Sequence, residues 1–180
     1  ASGIVDANPA TAAAVLESNQ VDAYMGVSVS GAGDVNGDGF ADVIVGAYKY
    51  DNGQSLEGAA FVFHGSASGI VGTNPATAAA VLESDQAYAY MGESVSGAGD
   101  VNGDGFADVI VGAPYYDNGE SNEGAAFVFL GSASGIVGTN PATAAAVLES
   151  DQTSAFMGYS VSGAGDVNGD GFADVIVGAH

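Results

Sequence analysis

The sequence predicts an all-β fold of β-propeller blades, each of four antiparallel strands. Three observations carry that expectation. The 180-residue chain repeats itself every 66 residues, and self-similarity at a fixed period is the signature of repeat architectures. Each period contains short runs of small, β-branched or aromatic residues separated by glycine-rich turns, as in the blades of a propeller. Between the first two runs of every period lies one nine-residue loop, Asp34-Val35-Asn36-Gly37-Asp38-Gly39-Phe40-Ala41-Asp42, which recurs unchanged at Asp100–Asp108 and Asp166–Asp174.

The copies are close to identical. Residues 65–86 equal 131–152, and Ser28–Ala47 equals Ser94–Ala113 and Ser160–Ala179. Such identity points to recent duplication or deliberate design. The period divides the chain, taken as one repeat domain 1–180, into an outer-strand segment 1–20, a first blade 21–86, a second blade 87–152 and a partial third blade 153–180.

In the second period the first strand is Gly92–Gly99, whose small residues suit a crowded centre. The second strand, Ala107–Ala113, is a β-branched run ended by glycine, and the third, Ala125–Leu130, is aromatic and β-branched. A polar, turn-rich loop from Pro114 to Gly124 separates them. The fourth strand falls around Ala145–Ser150. One segment resists. Asn74-Pro75 before an alanine run, in the Ala-rich stretch 76–84 and its copies 10–18 and 142–150, carries an N-cap and a proline at the first helical position. An isolated helix this short is marginal, and a four-stranded unit needs an outer strand, so these stretches are assigned as strands.

The nine-residue loop reads as a calcium site. Calcium takes six to eight hard oxygens in flexible geometry, and a short loop supplies them from alternating positions. Asp34, Asn36 and Asp38 occupy positions one, three and five, Phe40 at seven offers its carbonyl, and Asp42 at nine closes the loop. The equivalent ligands are Asp100, Asn102, Asp104, Phe106 and Asp108, then Asp166, Asn168, Asp170, Phe172 and Asp174. That makes one Ca²⁺ per loop and three per chain. Merely solvated acidic turns would leave the threefold repetition of like-charged loops unexplained. An EF-hand starts with the same alternation but needs a Glu at position twelve and flanking helices. Position twelve is Val45, Val111 or Val177, and a strand-like run follows.

Composition narrows the function. Lys49 is the sole basic residue of the Lys/Arg type against 22 acidic ones, a formal charge of −21. Nine of those carboxylates lie in the loops, and three bound calcium ions would bring the net charge to about −15. This surface repels nucleic acid and anionic membranes. No apolar run is long enough to span a bilayer. With no cysteine, neither disulfides nor thiolate metal sites exist. Weak calcium modules match extracellular calcium, which places the protein outside the cell, as an extracellular or secreted protein, or in a periplasm-like space. The first residues, Ala1-Ser2-Gly3-Ile4-Val5, recur at Ala67–Val71 and Ala133–Val137 and so read as repeat rather than export signal.

The loops' D-x-N-x-D-G-x-x-D pattern, together with Gly112-Ala113-Pro114, resembles the FG-GAP repeat of integrin α-subunit propellers and of many bacterial secreted proteins. The resemblance implies a calcium loop between the first two strands of each blade and an adhesion or scaffold role with a protein or glycan ligand. Departures are Met25, Met91 and Met157 in place of the family's usual Phe, and Tyr48 and His180 in place of its Pro. The absence of arginine excludes an Arg-Gly-Asp ligand in this chain.

Two further expectations concern partners and chemistry. The chain opens with an outer-strand segment, Ala12–Ser18, and stops at His180 after a second strand, so the last blade lacks its third strand. The expectation is a fragment, or a homo-oligomer completed through incomplete blades, since unpaired strand edges invite pairing. An enzyme is not expected. His64 stands where Leu130 stands in the next repeat and reads as a strand residue, and the serines repeat without a partner base. Repeats differ at Val21–Tyr24, Ala87–Tyr90 and Thr153–Phe156, at Val27, Glu93 and Tyr159, and at Tyr48–Tyr50 against Pro114–Tyr116. These aromatic-rich differences suit either blade packing or a calcium-dependent, lectin-like carbohydrate-binding face.

Overall fold

The computed structural model describes residues 8–180, and they form ten strands: β1 Val29–Gly33, β2 Asp42–Ala47, β3 Ala59–Phe63, β4 Ala80–Glu83, β5 Ser94–Gly99, β6 Asp108–Ala113, β7 Ala125–Phe129, β8 Ala146–Glu149, β9 Ser160–Gly165 and β10 Asp174–Gly178. Neighbours in sequence are neighbours in space. The sheets run β1-β2-β3-β4, β5-β6-β7-β8 and β10-β9, with every pairing antiparallel. The second and third strands of each full blade, Asp-Val-Ile-Val-Gly-Ala and Ala-Ala-Phe-Val-Phe, lie buried on both faces, which is why they read as continuous apolar runs rather than alternating ones. The EF-hand alternative fails here, since Val45 and Val111 are buried inside β2 and β6 where a helix would have to begin.

The innermost strands β1, β5 and β9 stand side by side, and their small residues permit close approach. A Cβ built on Gly97 would lie 2.6 Å from the carbonyl oxygen of Gly31, and one on Gly163 would lie 2.6 Å from that of Gly97. Each inner strand ends in a bulge, with register slipping between Gly31 and Gly33 and between Gly97 and Gly99. Gly33 and Gly99 sit there at φ +79°, a backbone region in which side chains are strained. The bulge turns the chain out of the sheet and into the nine-residue loop.

The helix signals and the strand assignment both hold, in succession. Pro75–Thr77 and Pro141–Thr143 form single 3₁₀ turns, with Asn74 capping the first through a 3.1 Å bond from the Ala76 N–H. The alanines that follow then enter β4 and β8. Residues 12–18 depart from expectation. A 3₁₀ turn forms at Pro9–Thr11, but no strand follows, although its sequence matches β4 and β8. The reason is pairing: β4 hydrogen-bonds β3 and β8 hydrogen-bonds β7, whereas no third strand stands beside residues 12–18 among the described residues. The segment instead lies against the first blade, with the Glu17 N–H donating to the Thr73 carbonyl at 2.9 Å, as Glu83 donates to Thr139 one period later. The expected outer-strand segment 1–20 lies outside the described residues over its first seven positions. His64 lies one residue beyond β3, with its Nε2 buried and without a hydrogen-bond partner.

Blades adhere through apolar faces. The back of the first sheet (Ala32, Val35, Ile44, Val62, Leu82) packs on the front of the second (Val95, Val109, Val111, Phe127, Phe129). The back of the second (Ala98, Ile110, Val128) packs on the front of the third (Val161, Val175, Val177). Burial of each phenylalanine contributes roughly 1.5–3 kcal/mol, so Phe127 and Phe129, both with no exposed surface, anchor the first contact. No helix is long and apolar enough to cross a membrane, among the described residues.

Candidate metal centre

All three nine-residue loops fall where the sequence places them, between the first and second strands of each sheet: residues 34–41 join β1 to β2, 100–107 join β5 to β6, and 166–173 join β9 to β10. Their internal geometry repeats. In the second loop the Asp100 carboxylate accepts from the backbone N–H groups of Gly103 at 2.6 Å, Asp104 at 3.1 Å and Gly105 at 2.9 Å. Asn102 Oδ1 accepts from the Asp104 N–H at 3.0 Å, and Asp104 Oδ1 from the Phe106 N–H at 3.0 Å. The third loop repeats the Asp166 set with Gly169, Asp170 and Gly171 at 2.6, 3.1 and 2.9 Å. The first has Asp34 accepting from Asp38 at 3.1 Å and Gly39 at 2.8 Å. Two glycines per loop make this coil feasible, Gly103 at φ +78° and Gly105 at φ +90° in the second.

The residues at position nine do something different. Asp108 is buried, with Oδ2 accepting from the Val101 N–H at 2.8 Å and Oδ1 from the Gly131 N–H at 2.8 Å. Asp42 is clamped likewise by Val35 and Gly65, both at 2.8 Å. This carboxylate therefore ties the start of the loop to the turn after the third strand. Sequence reasoning assigned it only to the metal. The third-strand turn that completes the clamp lies 23 residues away, and no local pattern marks it. Asp174 makes the Val167 bond alone, at 2.8 Å.

Electrostatics separates the positions. Burial raises the carboxyl of Asp108 and the charges of Asp104 and Asp100 add to it, against the lowering effect of the Gly131 and Val101 N–H groups; the net direction is up. At Asp100 burial also acts upward, but the N–H bonds from Gly105, Gly103 and Asp104 outweigh it and the carboxyl falls below its usual range. Asp38 is lowered by the Phe40 N–H and the Asn36 amide. The loop's own amides thus favour the ionised form of Asp100 at position one and of Asp38 at position five.

These residues suit a hard divalent cation. Positions one, three and five present carboxylate and amide oxygens at or near the surface, and the chain's sole Lys/Arg-type residue, Lys49, is elsewhere, 4.6 Å from the ring centre of Tyr24. Asp34, Asn36, Asp38 and their copies would hold the ion, with Phe40, Phe106 and Phe172 offering carbonyls and Asp42, Asp108 and Asp174 offering the lone pairs their N–H donors leave free. The ion would supply charge neutralisation. Phe at position seven has a second role that the sequence did not disclose: a Cβ on Gly37 would lie 2.7 Å from the Phe106 ring, and one on Gly103 2.6 Å from Phe172. The second and third loops also donate backward, Ala107 N–H to the Asp34 carbonyl at 3.0 Å and Ala173 to that of Asp100 at 2.9 Å. Successive loops are consequently hydrogen-bonded into one row.

A second acidic group stands apart from the loops. Glu57, Glu83 and Asp85 bring carboxylate oxygens within 4.8 Å of one another. Glu57 is wholly buried, and its Oε1 accepts from the N–H groups of Asn52 at 2.6 Å and Gln54 at 3.1 Å. Burial raises its carboxyl, assisted by the charges of Glu83 and Asp85 and opposed by those two N–H groups. A carboxyl raised in the folded state contributes stability below its unfolded value that is lost as pH rises through the folded one. In chelator, lowering the pH from 7 to about 5 should therefore stabilise the protein, the −21 charge acting in the same direction. Glu57→Gln should show a smaller gain, and thermal melts of both proteins across that range check it.

At the opposite end of the first two strands from the loops, aromatic rings form an arc across the sheets. Tyr24–Tyr48, Tyr48–Tyr90, Tyr90–Tyr115 and Tyr115–Phe156 have ring centroids 5.4, 5.7, 5.0 and 5.0 Å apart. Tyr24, Tyr90 and Phe156 occupy left-handed backbone at φ +55°, +55° and +49°, which costs side-chain-bearing residues energy. These are the positions at which the repeats differ, and the rings bridge neighbouring blades.

Fold and loops together define a repeat propeller, four antiparallel strands to a blade with an acidic Gly-rich loop between the first two. Comparison with known proteins specifies the family. The FG-GAP repeat model matches residues 25–63, 91–129 and 157–180, more than half of the chain. The chain belongs to the FG-GAP repeat family, whose repeats are β-propeller blades. It is 32% identical to integrin alpha-5 of Xenopus laevis over 166 residues, 89% of this chain and 15% of that one. It is 32% identical to integrin alpha-IIb of Mus musculus over 170 residues, 92% and 16% respectively. Integrin alpha pat-2 of Caenorhabditis briggsae is 35% identical over 175 residues, 90% and 14%. The chain thus spans about 15% of the length of the curated relatives it matches.

Proposed function

We propose that this chain is a non-enzymatic, calcium-binding propeller module that serves as a structural and adhesion scaffold outside the cell and associates with further copies of itself. The observation that carries the reading is the loop row: three identical sets of oxygen donors, with the first carboxylate of each accepting backbone N–H groups and no basic side chain to pair them. Three calcium ions, one per loop, neutralise carboxylates that otherwise repel, and because consecutive loops are bonded to each other the ions fasten blade to blade. The integrin alpha relatives make an adhesive role the natural one.

A second reading, a calcium-dependent carbohydrate-binding face, is favoured by the aromatic arc, where Tyr24 of the arc, and Tyr88 and Tyr159 within three residues of its Tyr90 and Phe156, are half exposed. The arc's own rings pack edge to face between blades, Tyr48 on Tyr90 and Tyr115 on Phe156, and such pairs stabilise packing by themselves, so the scaffold reading stands first. A glycan array probed in millimolar calcium and again in chelator separates the two. The scaffold reading expects no selective glycan signal. A signal that chelation abolishes, and that Tyr88→Ala or Tyr24→Ala reduces at least tenfold, would replace it with the lectin reading.

A further inference from the structure

Asn-Gly bonds are chemically labile, because a glycine nitrogen has no neighbouring side chain to keep it from the asparagine's side-chain carbonyl. The chain has five of them, at Asn36, Asn52, Asn102, Asn118 and Asn168. Three lie in the nine-residue loops and are restrained there. Asn36, Asn102 and Asn168 each accept through Oδ1 from the N–H two residues on, at 3.0, 3.0 and 2.8 Å. The Gly103 and Gly169 N–H groups are held in turn by Asp100 and Asp166, both at 2.6 Å. The other two pairs, Asn52-Gly53 and Asn118-Gly119, occupy exposed positions between the second and third strands of their sheets. There neither glycine N–H donates and neither Oδ1 accepts, among the described residues. A Cβ on Gly53 or Gly119 would meet nothing within 4 Å, so the turn has room to close a ring.

We propose that Asn52 and Asn118 are sites of spontaneous deamidation, and that each conversion loosens the hold on a buried glutamate. The Gly53 nitrogen gives its proton to water and bonds to Cγ of Asn52. The bond from Cγ to the side-chain nitrogen breaks, and that nitrogen takes up a proton and leaves as ammonia. Water then opens the five-membered imide at either carbonyl, leaving aspartate or isoaspartate. One water is consumed and one ammonia released, with nothing oxidised or reduced, and Asn118 with Gly119 reacts alike. The surroundings give the reaction its consequence. Buried Glu57 accepts through Oε1 from the N–H groups of Asn52 at 2.6 Å and Gln54 at 3.1 Å, which flank the labile bond. Buried Glu123 is held in the same way by Asn118 and Glu120, at 2.6 and 3.1 Å. Isoaspartate lengthens the main chain by one methylene between those two donors and so spreads them. Either product also puts a carboxylate where the side-chain amide donates to Glu83 or Glu149, so a donor is lost and two like charges face each other.

Incubation of the 180-residue chain in mildly alkaline chelator buffer, followed by peptide mass spectrometry, tests it. Cutting after glutamate separates the near-identical repeats, and fragment sequencing places each amide-to-acid mass gain. Asn52 and Asn118 should convert several-fold faster than Asn36, Asn102 and Asn168, partly to isoaspartate, and the melting temperature should fall in step with them. The double variant Asn52→Gln, Asn118→Gln keeps both side-chain amides but disfavours the five-membered ring. Both positions are exposed, so it should keep the wild-type circular dichroism spectrum and hold its melting temperature through the same incubation. Conversion of the loop asparagines at an equal or greater rate, or of none of the five, would overturn the assignment of sites. Conversion at Asn52 and Asn118 with an unchanged melting temperature, or an equal fall in the double variant, would overturn the link to the buried glutamates.

Discussion

Calcium should raise the melting temperature of the chelated protein by about 10–30 °C. Extracellular calcium modules bind with Kd of roughly 10⁻⁴–10⁻³ M, so at about 10 mM calcium each loop would contribute about 1.4–2.7 kcal/mol. Three independent loops would give about 4–8 kcal/mol, and a domain of this size gains roughly 2–4 °C per kcal/mol. The row of loops adds a reason to expect one cooperative transition, since Asp34 and Asp100 accept main-chain bonds from the loops that follow them. Position five is the place to test the assignment. Asp104 is exposed and accepts the Phe106 N–H through Oδ1, an acceptor that asparagine retains. Asp104→Asn should remove about one third of the calcium increment and change little in chelator. Alanine at Asp100 is less informative, because it also removes the bonds from Gly103, Asp104 and Gly105, with or without calcium. Melts that do not respond to calcium would contradict the proposed function.

The second large effect lies at position nine and should be mostly independent of calcium. Asp108→Ala removes the acceptor of the Val101 and Gly131 N–H groups in a buried site. Each buried donor left without a partner costs about 1–3 kcal/mol, so the loss should be roughly 2–6 kcal/mol. Asp174→Ala should cost less, since Asp174 accepts the Val167 N–H alone and is only half buried. Denaturant melts of the two variants in chelator check the ordering. Equal losses would show that the clamp to Gly131 contributes nothing and that position nine acts through the loop alone.

The strands were legible because their residues have few alternatives. The Asp-Val-Ile-Val-Gly-Ala run cannot sit still as a helix, and Ser-Val-Ser-Gly-Ala-Gly suits only a crowded inner strand, where Gly97 meets a neighbouring carbonyl. The Asn-Pro-Ala-Thr segment was read as strand against its helix signals, and it is both, a 3₁₀ turn leading into β4. Its copy at residues 12–18 shows the limit of local reading, since the same alanines make no strand where, among the described residues, no third strand stands beside them. The place of the nine-residue loops between the first two strands was legible from the repeated spacing. The double clamp on Asp42 and Asp108 and the packing of Phe106 over Gly37 were not, because both join segments from distant positions and different blades. Glu57 and Glu123 were passed over inside a polar loop, although both are buried. Their recurrence one period apart was a signal that the turn-rich composition masked.

Calorimetric titration of the chelated protein with calcium tests the central claim most directly. Three sites per chain are expected, with Kd at or below about 10⁻³ M, and the triple variant Asp38→Asn, Asp104→Asn, Asp170→Asn should lose binding while keeping its β-sheet spectrum. No saturable binding up to about 10 mM calcium, or binding of equal stoichiometry in the triple variant, would contradict the assignment of the loops as calcium sites.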